Sequence, residues 1–164
     1  MTDHEQIPIA DDLLAVMRHA ASYSLTAGEK FITPRMIMIA LLRDPAFAEP
    51  FQEVVDIEAL EAILPDPEAS ALAELPEERM PEEEQPAFLR YDTLAFKDDT
   101  GKSTVWLSGE AHTIFLEGAR HAKERYIPKD LLLGFVSEWR RQPQILRDIK
   151  IDGGKFSEVA FALP

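Results

Sequence analysis

Apolar residues along most of this chain recur at spacings of three and four, the period of a helix that buries one face. Leu13, Val16, Met17, Ala20 and Ser24 form the first such stripe, with Asp11 and Asp12 where acidic side chains favour a helix start. The pattern predicts a helix over Ile9 to Ala27, with Gly28 placed to end it. The next stretch, Phe31 to Pro45, carries a full set of boundary signals: Thr33 to cap free amides, Pro34 at the first helical position, and Asp44-Pro45 as a stop. A second helix is therefore expected from Pro34 to Arg43. A short third follows from Phe47 to Val54, and a fourth from Ile57 to Leu64 with Asp56 as its cap.

The pattern then breaks. Residues 65–90 hold prolines at 65, 67, 76, 81 and 86 together with the run Glu82-Glu83-Glu84, the composition of an acidic linker. From Tyr91 the residues alternate with a period of two, and Thr104-Val105-Trp106-Leu107 is rich in strand formers. A β-hairpin turning at Asp98-Asp99-Thr100-Gly101 is expected within residues 91–107. It would cover a helix face or offer an edge to a partner. Helical spacing returns with Ala111, Ile114, Phe115, Ala119 and Ala122, predicting a helix from a Ser108 cap to about Glu124. Further helices are expected over Pro128 to Trp139, Gln144 to Ile149, and Lys155 to Ala162.

The second group of helices repeats the first. Leu13, Val16, Met17 and Ser24 map onto Ala111, Ile114, Phe115 and Ala122 at an offset of 98; Pro34 maps onto Pro128 at 94, and Asp56 onto Asp152 at 96. The step from 98 to 94 means that the second copy lacks four residues, about one helical turn, between its first two helices. One domain of 164 residues is expected, with repeat 1 over about 9–64, linker 65–90, hairpin 91–107 and repeat 2 over about 108–162.

Charge narrows the range of partners. The net charge is −13, with residues 9–64 carrying −5, residues 65–90 carrying −6, and residues 107–164 carrying +1. Nucleic acids and anionic membranes draw affinity from basic residues, so neither is expected as a partner. No apolar run reaches the roughly 20 residues of a membrane span, and the start, Met-Thr-Asp-His-Glu-Gln, lacks the features of a signal peptide. A cytoplasmic location is the expectation. The absence of cysteine removes disulfides and thiolate chemistry.

Little in the chain reads as catalysis. His4, His19, His112 and His121 do not fall at metal-ligand spacing, so no metal is expected. Thr100-Gly101-Lys102-Ser103 imitates the end of a phosphate-binding loop, but Phe96 stands where the first glycine is required and the piece reads as a hairpin turn. No cofactor is expected. Glu82 to Glu84 lack an apolar setting and read as a solvated run or a handle for a basic partner. Met36 and Met38 lie on adjoining faces of the second helix, where methionine serves either as core filler or as an adaptable contact.

Ile32 to Leu42, Val55-Asp56-Ile57, Leu107-Ser108, Leu131 to Phe135 and Ile151-Asp152 together resemble the Clp N-terminal domain, the double repeat at the front of Clp-family AAA+ unfoldases. The resemblance spans about two thirds of the chain and leaves residues 65–106 outside it. It implies an all-α fold of two pseudo-symmetric four-helix repeats, here with a β-hairpin inserted between them. It also implies a non-enzymatic module that docks proteins or peptides, with a Clp ATPase, a Clp peptidase or their substrates as partners. Some members bind phosphoarginine through a glutamate in each repeat, but Arg35 and Lys129 occupy those positions here. Ala10 replaces the first Ser/Thr, and only Ser108 is retained. A cation beside a guanidinium is repulsive, which argues against that ligand. The positions to watch for peptide or partner binding are Arg35, Met36, Ser108, Lys129 and Asp130. The competing reading is a structural or regulatory homodimer that uses the hairpin edge and has no Clp connection.

Overall fold

The computed structural model describes residues 9–27, 31–62, 95–97, 104–107, 109–144, 146 and 151–163. The linker at 65–90, Gly28, the hairpin turn at 98–103, Ser108 and most of the expected helix at Gln144 to Ile149 lie outside these residues, though 144 and 146 are helical.

The first repeat contains α1 (Asp11–Ala27), β1 (Phe31–Ile32), α2 (Pro34–Leu42), α3 (Pro45–Phe51) and α4 (Ile57–Glu61). Each start follows from a local signal. Thr33 accepts the Met36 amide, Asp44 Oδ1 accepts the Ala46 amide at 3.0 Å, and Asp56 Oδ1 accepts the Ala59 amide at 3.1 Å. Asp44-Pro45 therefore does more than stop α2. The aspartate caps α3 and the proline opens it, so α3 begins two residues earlier than the apolar spacing predicts.

The second repeat contains β2 (Ala95–Lys97), β3 (Thr104–Leu107), α5 (Gly109–Ala119), α6 (Pro128–Arg141) and α7 (Gly153–Ala162). Helix α5 is shorter than its stripe predicts. After Ala119 the chain tightens into successive i to i−3 bonds, from the Arg120, His121 and Ala122 amides to Glu117, Gly118 and Ala119. Helix α6 runs beyond its counterpart because Glu138-Trp139 stands where Asp44-Pro45 breaks α2. Asp152 Oδ1 accepts the Lys155 amide at 3.2 Å, the same cap, at offset 96, that Asp56 makes.

The three short strands form one sheet in the order β1-β3-β2, with β3 parallel to β1 and antiparallel to β2. The hairpin is thus present, with Phe96 opposite Val105, but its second strand is central rather than a free edge. Phe31 and Ile32 pair with Trp106 and Leu107, a strand contact that a two-residue segment does not announce in sequence. Ile9 forms a parallel bridge with Tyr126, and the Ala10 amide donates to the Tyr126 carbonyl at 2.9 Å. That bond takes Ile9 out of α1.

One continuous core joins both repeats. Leu13, Met17, Ile37, Leu41, Ile114, Phe115, Leu131 and Phe135 are fully buried, and Phe51 of α3 meets Phe156 of α7 with ring centroids 5.0 Å apart. Helices α5 and α6 make the most extensive helix contact among the described elements. They cross where Gly118 and Gly134 meet, and an added methyl group at Gly134 would lie 2.6 Å from Gly118 N. None of the described helices is long and apolar enough to cross a membrane.

Candidate functional site

Helix α6 opens at Pro128, whose missing amide costs nothing there. Ile127 precedes it, standing at offset 94 from the capping Thr33 and unable to accept a hydrogen bond from its side chain. Asp130 compensates: its Oδ2 accepts the Ile127 amide at 3.0 Å. Burial pushes the Asp130 carboxyl above the usual carboxylate range, opposed by that amide bond and by the nearby cationic groups. Ile127 is released from capping and is 40% exposed.

Beside Ile127 the two repeats enclose a pocket of about 270 Å³. Asp12 comes from the first turn of α1, and Asp44, Ala46 and Phe47 come from the start of α3. Ile127, Pro128 and Lys129 come from the start of α6, and Leu163 follows α7. The floor is apolar. Among the described lining residues the polar side chains are two carboxylates and one ammonium, and Lys129 Nζ donates to the Leu163 carbonyl at 3.0 Å. Asp12 and Asp44 each use one oxygen on a helix-start amide, those of Leu13 and Ala46.

Of the expected binding residues, Lys129 lines this pocket. Asp130 lies behind it as a buried cap. Arg35 is buried in the first turn of α2. Met36 is fully buried, so as a surface contact it is corrected to core: its helix is buried on every side. Ser108 lies outside the described residues. Sequence reading missed Asp12, Asp44, Phe47 and Leu163 as pocket residues, because each has a sufficient local role and the pocket forms only when distant segments meet. Ile127 alone left a signal, as an apolar residue at a capping position.

A second polar cluster lies between α5 and α6. Arg141 Nη1 is 2.9 Å from Glu117 Oε1 and 3.8 Å from Glu138 Oε2, and Arg120 is 3.7 Å from Glu117. Glu138 is 1% exposed, and its Oε2 has no hydrogen-bond partner. Burial raises its carboxyl above the ordinary range; Arg141 opposes this, while Glu117 and Glu110 add to it. Elsewhere, Glu61 accepts from Arg43 Nε at 2.8 Å and from Tyr23, tying α1, α2 and α4 together. Trp139 packs against the core, where any side chain on Gly153 would strike its ring.

No protein-family model matches the chain, and no curated protein matches it. A solved structure does. The crystal structure of the Hsp104 N-terminal domain from Candida albicans superposes with a TM-score of 0.57 over 95% of this chain and 91% of that one, at 10% identity. At that identity the likeness is one of fold, and the fold is Clp N-terminal-like.

Proposed function

We propose that this protein is a non-enzymatic docking module that binds a protein or peptide segment at the junction of its two repeats. The observation that carries the reading is the pocket under Ile127: an apolar floor with few polar groups, built from both repeats and open beside an exposed isoleucine. The side chain is 40% exposed, so covering what remains is worth about 1 kcal/mol, a modest gain in a transient contact. The Clp N-terminal-like fold supports a partner within a cytoplasmic Clp chaperone or protease system, either its ATPase, its peptidase or their substrates, with this chain as accessory factor or adaptor. The test is affinity capture with the intact chain and with Ile127→Asp, scored for named Clp components.

One observation favours a second reading. Among the described strands β2 is the outer one, so its far edge can pair with the same edge of a second copy. Sedimentation across a concentration series tests that homodimer; a monomer at every concentration removes it.

A further inference from the structure

The internal repeat gives the pocket a counterpart within the same molecule. At offset 98 Asp12 corresponds to Glu110. At offset 94 Asp44 corresponds to Glu138, and Phe47 to Arg141. The pocket's two carboxylates are therefore matched in sequence by Glu110 and Glu138, the second of which belongs to the polar cluster around Arg141; Glu117, the nearest carboxylate to Arg141, corresponds to His19 and has no counterpart in the pocket. In that cluster a cation is already in place. The Arg141 guanidinium reaches in from a side chain that is 61% exposed, to 2.9 Å from Glu117 and 3.8 Å from the buried Glu138 carboxylate. In the pocket, Phe47 holds the corresponding position and supplies an apolar wall without charge.

We infer that the pocket recognises an unphosphorylated arginine or lysine side chain from a partner segment, its cationic head at Asp12 and Asp44 and its stem along Phe47, Ile127 and Leu163. The inference rests on the docking reading above and names the ligand chemistry of that site. Size agrees: about 270 Å³ is below the span of pockets for drug-sized ligands and suits one long side chain. Charge agrees as well. Two carboxylates face one ammonium, and that ammonium is engaged with the Leu163 carbonyl. At the start of α6 the Asp130 carboxylate already takes the Ile127 amide, so that amide is not offered to an anion. The overall charge of −13 draws basic segments at long range. Lys129 remains a like charge beside the bound head group and limits affinity.

Calorimetric titration of the full chain with blocked pentapeptides, identical except for arginine, glutamine or phosphoarginine at the centre, tests this. The arginine peptide binds, the glutamine and phosphoarginine peptides bind at least about tenfold more weakly, and raised salt weakens the arginine peptide. Asp12→Asn with Asp44→Asn reduces arginine-peptide affinity about tenfold while keeping both helix-start acceptors, with an unchanged melting curve as the control. Lys129→Gln tightens arginine-peptide binding. Equal binding of the glutamine peptide, tighter binding of the phosphoarginine peptide, indifference to the double asparagine variant, or no binding of the arginine peptide overturns the inference. Equal binding of the glutamine peptide leaves the docking reading standing, whereas partner capture unaffected by Ile127→Asp sinks the docking reading itself.

Discussion

Ile9 bridges Tyr126 in parallel, and shifting each residue by its repeat offset converts this pair into Leu107 and Ile32, which are paired in parallel in the sheet. Each repeat lends the strand before its first helix to the strand before the other's second helix. The exchange is reciprocal, as in an isologous interface between two subunits. It explains why the two halves share one core and why a pocket forms at their junction.

Ile9 and Leu107 therefore do the same work. Ile9→Ala and Leu107→Ala should each destabilise the fold by about 2–4 kcal/mol, since both side chains are buried. Urea denaturation of the two variants checks this. A negligible loss for Ile9→Ala would mean that the leading strand is not part of the cooperative unit.

The α5–α6 crossing tolerates no side chain at Gly134. A methyl group there would lie 2.6 Å from Gly118 N and from Ile114 O, backbone atoms that cannot swing aside. Gly134→Ala should cost about 1–3 kcal/mol despite the better helix propensity of alanine. The counterpart position in the first repeat holds Ala40, which is buried without such a limit, and Ala40→Gly should cost about 1 kcal/mol. Thermal melts of both variants separate the two effects.

Glu138 makes stability fall as pH rises. Its carboxyl is raised from an ordinary value of 4.5, chiefly by burial, so the folded state holds its proton more tightly than the unfolded chain does. The favourable contribution is fully present below pH 4.5 and is lost as pH climbs through the raised folded value. Glu138→Gln cannot ionise, so its melting temperature should gain on the parent's between pH 4.5 and neutrality. A constant difference across that range would show that Glu138 is not strained by burial.

The parts of the fold that were legible in sequence are those set by neighbouring residues. Thr33 and Asp56 cap the helices expected of them; Asp152, which the repeat maps onto Asp56, makes the matching bond and starts the last helix at Gly153, two residues before the expected Lys155. The hairpin strands follow from alternation and β-branched residues. Met36 opens seven consecutive apolar residues, the mark of a helix buried all round, and the structure takes the core reading of its two sequence roles over the contact reading. What escaped was set at a distance. Two residues, Phe31 and Ile32, carry no pattern of their own and become a strand only because β3 lies beside them. The pocket draws on four separate segments, and Asp12 and Asp44 are fully accounted for as helix-start residues until those segments meet.

Docking of a partner at the junction pocket is the proposal that most needs testing. Ile127 and Phe161 are the two large apolar side chains most exposed among the described residues, at 40% and 54%, and Ile127 lines the pocket while Phe161 lies under Arg140 on α7. The most direct measurement is quantitative affinity capture of a Clp ATPase, peptidase or substrate by the intact chain, Ile127→Asp and Phe161→Asp, all shown to fold by their melting curves. Docking at the pocket predicts capture by the intact chain and by Phe161→Asp, with a loss of about tenfold or more for Ile127→Asp. Capture that is equal in all three, lost only with Phe161→Asp, or absent from the intact chain would contradict it.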